Sequence, residues 1–248
     1  MSVTGIIGGS GLDKLDGLAI IRRTQVETPY GEPSSALTFG SYAGEQVIFI
    51  ARHGDDHSIL PHNINYCANL AALQQAGATQ VIAVCAVGGI RDDMSPGVIS
   101  IPGQLIDYTH SRQHTIFANA RDLAAHIDFT EPYCESLRQQ LITAAAQAGI
   151  TASSDVTYGA TQGPRLETAA EINRMDRDGC HVVGMTGMPE ASIARELGLC
   201  YAVIALSANF AAGREAGPID IQTIETTLNA AMGGVRSILA AALTLSHD

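Results

Sequence analysis

Seven consecutive residues, Val81-Ile82-Ala83-Val84-Cys85-Ala86-Val87, carry no charged or hydroxylated side chain. A strand with one wet face alternates polar and apolar residues, so an unbroken apolar run belongs to a strand covered on both faces. Helices packed on either side of a sheet supply that cover. Further strand-like runs rich in β-branched residues lie at Val3–Ile7, Gln46–Ala51, His181–Val183 and Leu199–Leu206. Helix-like stretches separate them at Ile64–Gln75, Glu131–Ala148, Thr168–Asp176, Pro189–Leu197 and Gln222–Leu245, the last with Asp220 as its N-cap. The alternation predicts an α/β fold, a mixed and largely parallel central sheet flanked by helices. No repeat, linker or low-complexity tract interrupts it, so residues 1–248 are expected to form a single domain.

The charge balance narrows the partners. The formal net charge is −11, and Lys and Arg nowhere cluster, which argues against a nucleic-acid partner. Hydrophobic residues make up 46% and charged residues 16%, the balance of an enzyme-like domain whose surface other subunits can cover. The five cysteines (Cys67, Cys85, Cys134, Cys180, Cys200) form no C-x-x-C pair, so neither a zinc site nor a disulfide framework is expected. Several read as small buried hydrophobes. No signal peptide is read ahead of Val3 and no apolar run reaches membrane-spanning length, so the expectation is a cytoplasmic protein with no membrane partner.

Open α/β sheets bind ligands where strands end and loops begin. Here Gly8-Gly9-Ser10-Gly11 follows the first strand, and Arg52-His53-Gly54 follows another. Cys85-Ala86-Val87-Gly88-Gly89, Met185-Thr186-Gly187 and Ser207-Ala208-Asn209 complete the set. Glycines let a backbone curl and aim N–H groups at one point, so the first turn reads as an oxyanion cradle with Ser10 adding a hydroxyl. It lacks the Gly-Lys-Ser/Thr ending of a P-loop and the spacing of a dinucleotide fingerprint. An ordinary tight turn is the plainer reading. Arg52 offers a fork of donors suited to phosphate or carboxylate, and His53 can donate beside it. Their plainer readings are a surface ion pair and a core histidine. Glu167, in Gly163-Pro164-Arg165-Leu166-Glu167-Thr168, is either a first-turn helix glutamate with Arg165 as its pairing partner, or an acceptor for N–H groups of a ligand base.

Five segments together carry a family resemblance: Gly8–Leu12, Arg52-His53-Gly54, Asn65-Tyr66-Cys67-Ala68-Asn69, Gly163–Thr168 and Met185-Thr186-Gly187-Met188-Pro189-Glu190. In this order, over nearly the whole chain, they resemble the trimeric purine nucleoside phosphorylase and 5′-methylthioadenosine phosphorylase family. The resemblance implies a phosphorylase-type fold, a homotrimer, no cofactor, and attack of inorganic phosphate as co-substrate on C1′ of a purine nucleoside. It implies phosphate binding by Ser10, Arg52, His53, Ala86 and Thr186, with Cys85 at the same strand end, and ribose packing by Met185. Leu166 stands where the family usually has a Phe against the purine, which removes an aromatic contact. His126 resembles a segment that reaches a neighbouring subunit's site.

Two choices divide that family. The adenine branch has Asp at the positions of Asn209 and Ala211 and Ser at that of Glu167; the 6-oxopurine branch has Asn and Glu at 209 and 167. The Asn209 amide can donate to O6 or N7, and the Glu167 carboxylate can accept N1–H. Such a site rejects a base that leaves its polar groups unpaired by roughly 10⁴-fold. The 5′ position of the sugar is read by a His in the ordinary nucleoside branch, and alignment places Ile221 there. An apolar residue suits an S-methyl group, worth about 0.8 kcal/mol per buried carbon, and leaves a hydroxyl unpaired at about 1–3 kcal/mol. The combined expectation is phosphorolysis of 5′-methylthioinosine to hypoxanthine and 5-methylthioribose 1-phosphate, with Asn209, Glu167 and His53 in the reaction. Inosine/guanosine phosphorolysis, 5′-methylthioadenosine phosphorolysis, a water-using nucleosidase and a non-catalytic nucleoside binder are the alternatives.

Overall fold

β5 (Ala78–Gly89) contains the unbroken apolar run, and it is the branch point of an 11-stranded mixed sheet. The structure is a computed structural model and describes residues 3–117 and 125–245. β1 (Val3–Gly8) lies parallel between β4 (Glu45–Ala51) and the first half of β5, while β11 (Cys200–Phe210) runs parallel along the other edge of β5. Two antiparallel strands, β3 (Leu37–Tyr42) and β2 (Ala19–Thr24), extend the sheet beyond β4. On the far side, β10 (Val182–Gly184) pairs antiparallel with the end of β5. It carries β9 (Thr157–Ala160), and β7 (Gln104–Asp107) closes that side. The two-residue strands β6 (Ile99–Ser100) and β8 (Ala152–Ser153) pair off β11.

Alternation of side chains along the strands divides the core in two. Ile7, Ile50, Val81, Ala83 and Val203 pack with α1 (Tyr66–Gln75) and α4 (Glu190–Glu196) on one face. Ile6, Phe49, Ile82, Val84 and Ile204 pack with α2 (Glu135–Gln147) and α5 (Ile221–Thr244) on the other. This is the two-sided cover that the sequence of β5 requires. α3 (Ala169–Arg177) closes a smaller cluster of Ile90, Val183 and Ala211 with Ile172 and Met175.

One irregularity positions the site. Along one edge of β5, β1 pairs only as far as Ala83, and β10 takes over only at Gly88. The edge from Val84 to Val87 therefore has no neighbouring strand on that side, and the sheet opens there. Opposite, β11 stays paired but takes a bulge between Ser207 and Asn209.

The cysteine expectation is corrected. Cys134, the N-cap of α2, and Cys200, the first residue of β11, form a disulfide across a sequence separation of 66. Nothing in their spacing signals this, because the sheet and helix layers bring them together. Cys67, Cys85 and Cys180 are free and buried, as small hydrophobes are. Among the described residues no helix is long and apolar enough to cross a membrane.

Candidate active site

The opening in the sheet is a cleft. Ser10, Arg52, His53, Ala86 and Thr186 line it together with Leu166, Glu167, Met185, Asn209 and Ala211, so residues from six separate segments share one wall. Gly9 makes this possible: a Cβ there would stand 2.5 Å from the Val84 carbonyl oxygen and 2.6 Å from Arg52 Nη1. A glycine is required where the turn presses against β5. β10 runs back along β5, so the chain after Gly184 returns to the cleft and brings Thr186 Oγ1 within 3.5 Å of Cys85 Sγ.

Arg52 is neither a surface ion pair nor a free fork. Its side chain is wholly buried. Nε and Nη2 donate to the two oxygens of Glu190 at 2.7 and 2.8 Å, Nη2 also reaches Cys85 Sγ, and Nη1 donates to the Val84 carbonyl at 2.9 Å. Tyr201 Oη donates to the same carboxylate at 2.8 Å. Of five guanidinium hydrogens, one on Nη1 is left for a ligand. Burial alone lowers the Arg52 pKa; the Glu190 carboxylate overrides it and holds the charge firmly.

His53 is also corrected in its role as donor. Burial first, and the neighbouring Arg52 second, lower its pKa to about 4, so the ring is neutral near pH 7. Nδ1 lies 2.8 Å from the Ile59 carbonyl, which can only accept, so Nδ1 carries the hydrogen. Nε2 then offers a lone pair, suited to a protonated anion oxygen rather than a bare one. Cys85 does not line the cleft: it is buried, its Sγ meeting Thr186 Oγ1 and Arg52 Nη2, and burial pushes its thiol pKa up.

At the opposite end, Glu167 is not a first-turn helix glutamate. Thr168 is the N-cap of α3 and forms a capping box with Glu171, which also takes Arg165 at 2.8 Å. Glu167 precedes the cap, and Thr161 Oγ1 donates to its Oε1 at 2.6 Å, holding the carboxylate in the cleft wall. Asn209 follows the bulge of β11; its Nδ2 donates to the Phe210 carbonyl at 2.6 Å and keeps a second hydrogen free. Leu166 is 40% exposed at the mouth.

Ile221 does not line the cleft. It is the first residue of α5, 62% exposed. Side chains tilt toward a helix N-terminus, so a residue at that position points past the helix end. Ile219, Ile224 and Leu228 supply the apolar wall instead. The i, i+4 pair Ile224 and Leu228 was the readable signal for it. His126 is exposed and outside the cleft of its own chain. The sequence reading also missed Arg112, which fastens the wall from behind. Its Nη1 donates to the Met185 and Met188 carbonyls at 2.8 and 2.6 Å, and Nη2 to the Gln162 carbonyl at 2.7 Å. A lone Arg in a polar loop carries no sequence signal of such a task.

The arrangement joins a rim of Ser10, Arg52 and Thr186, a carboxylate–amide pair and an apolar wall in one cleft. The family model of the phosphorylase superfamily matches residues 3–244. The chain belongs to the phosphorylase superfamily. A relative from Pseudomonas syringae pv. tomato, described as a probable S-methyl-5′-thioinosine phosphorylase, is 51% identical over 99% of this chain and 100% of its own length. A 6-oxopurine nucleoside phosphorylase from Pyrococcus furiosus is 48% identical over 84% of this chain and 79% of its own. The solved structure of methylthioadenosine phosphorylase from Schistosoma mansoni in complex with adenine superposes with a TM-score of 0.93 and 31% identity, covering 98% of this chain and 91% of that one. The mixed sheet with flanking helices is the fold of that phosphorylase.

Proposed function

We propose that this enzyme carries out the reversible phosphorolysis of S-methyl-5′-thioinosine, a pentosyl transfer to inorganic phosphate that releases hypoxanthine and S-methyl-5-thioribose 1-phosphate. One observation carries the reading: the cleft that contains Arg52, Ser10 and Thr186 also contains Glu167 and Asn209, and a wall of Ile219, Ile224 and Leu228. The reading of the relatives' names agrees with it.

As the C1′–N9 bond stretches, the sugar gains positive character. An anion held by Ser10, the free Arg52 hydrogen and Thr186 stabilises that charge and closes on C1′. His53 Nε2 accepts a proton-bearing phosphate oxygen and fixes how the anion sits. Negative charge grows on the leaving purine, where the free Asn209 hydrogen donates near N7 or O6. Glu167, already oriented by Thr161, accepts N1–H of a keto-purine; adenine would set a lone pair against the carboxylate. Met185 packs beneath the sugar. The reaction as written uses phosphate as co-substrate and no cofactor. Homotrimeric assembly, with His126 of one copy at the neighbouring cleft, and a cytoplasmic location belong to the proposal and rest on the family resemblance.

Phosphorolysis of inosine and guanosine is the second reading, favoured by the same Glu167 and Asn209. Ile224 and Leu228 argue against it, because neither side chain can pair a 5′-hydroxyl. The deciding experiment compares S-methyl-5′-thioinosine, inosine and 5′-methylthioadenosine, with and without phosphate. The expected order places the first substrate ahead by at least about tenfold, with no base released when phosphate is omitted. Faster turnover of inosine would move the assignment to the second reading. The variant carrying Asn209→Asp and Glu167→Ser is expected to shift preference toward 5′-methylthioadenosine.

A further inference from the structure

Three side chains stand in line at the anion rim, and two of them have no part in the chemistry above. The Asp13 carboxylate lies 2.6 Å from His57 Nδ1, and His57 Nε2 lies 3.4 Å from Ser10 Oγ. The His57 ring also stacks on His53, with centroids 4.6 Å apart. His57 holds this place from left-handed backbone, φ 56°, an uncommon conformation for a residue other than glycine. Ser10 lines the cleft, whereas Asp13 and His57, both part-exposed, do not.

The hydrogens of this row follow from its acceptors. A carboxylate only accepts, so the His57 hydrogen nearest Asp13 sits on Nδ1. Nε2 then has two states. In a neutral ring it is a lone pair and draws the Ser10 O–H toward itself, which turns oxygen lone pairs toward the anion. In a protonated ring it donates to Ser10 Oγ, and the serine hydrogen is released toward the anion. We propose that Asp13 and His57 are positioning residues that set the direction of the Ser10 hydroxyl, making it a donor to the bound anion when His57 carries a proton. The inference rests on the reading of this rim as the phosphate site.

The surroundings favour the protonated state. The Asp13 hydrogen bond raises the His57 pKa, Asp13 and Asp56 add to it through space, and partial burial opposes. His53, on the stacked face, is neutral across the range in which His57 titrates, because its own pKa is lowered to about 4. Asp55, in the same loop, is occupied by Arg23 at 2.7 Å. The sign is therefore set: anion binding is strong below the raised His57 pKa and weakens as pH rises through it.

Sulfate is the probe, since it keeps its charge across this range while phosphate itself titrates. Inhibition by sulfate and the KM for phosphate would be measured from about pH 5.5 to about pH 8.5. Sulfate inhibition of the unaltered enzyme is expected to weaken by roughly tenfold across that span. His57→Gln cannot gain a proton and should remove the pH dependence, with the change in phosphate KM and not in nucleoside KM. Asp13→Asn, a milder change, should move the inflection to lower pH. Ser10→Ala should weaken sulfate at every pH. If Ser10→Ala weakens sulfate but His57→Gln and Asp13→Asn keep the original profile, the anion site stands and the positioning role is overturned. If Ser10→Ala leaves sulfate and phosphate untouched, the anion-site reading falls together with it.

Discussion

Arg52 sits in the cleft as a charge without solvent, and Glu190 is what makes that tolerable. An isolated buried guanidinium would be strongly disfavoured; two hydrogen bonds to one carboxylate, with Tyr201 holding that carboxylate, compensate it. The same pairing leaves a single Arg52 hydrogen, on Nη1, without a protein partner. Glu190→Ala leaves the charge unpaired and is expected to lower unfolding stability by about 3–5 kcal/mol, read from a urea titration. Phosphate binding should weaken in the fraction that folds. An unchanged midpoint would mean that the pair does not sustain the rim. Arg52 and His53 were both legible as candidates from their place after a strand. Their states were not, because the carboxylate that binds one and the carbonyl that binds the other come from Glu190 and Ile59.

The helix α5 separates a residue's rank in sequence from its position in space. Asp220 caps it as its sequence indicates, accepting from Thr223 N at 3.0 Å. Ile221 follows directly and looks outward, while one turn and two turns on, Ile224 and Leu228 face the cleft. Ile224→Ser is expected to cut the preference for the methylthio nucleoside over inosine by about tenfold in kcat/KM. Ile221→Ser should change that ratio little. The reverse pattern would restore the position that alignment alone selects. Other elements were unreadable for a plainer reason. β6 and β8 have two residues each, and β7 and β9 four, too few to display a period. β2, Ala-Ile-Ile-Arg-Arg-Thr, is almost wholly exposed and has no buried face to mark it.

For the molecule as a whole, the break in pairing along β5 matters most. A sheet paired from end to end would have no room beside Val84, and neither Gly9 nor the Arg52 side chain could reach its carbonyl. The disulfide acts on the same scale, since it ties the start of α2 to the start of β11 across a separation of 66 residues. Closing a loop of that length is worth about 4 kcal/mol in the chain-entropy treatment. Oxidised protein should therefore unfold at higher urea than protein held in reductant, and Cys134→Ser with Cys200→Ser should abolish the difference. Equal midpoints would mean that the link adds nothing to the folded state.

Taken alone, the chain of residues determined the layered α/β order and the strand ends where candidate residues gather, because each is written in local periodicity or in residue types at a strand end; the candidate pair Glu167 and Asn209 came through the family resemblance. Only the tertiary structure decided that Cys134 meets Cys200, that Glu190 takes most of Arg52, and that Ile224 faces the cleft where Ile221 does not. Those outcomes depend on which distant segments pack together, and packing is a property of the folded layers that no window of sequence contains.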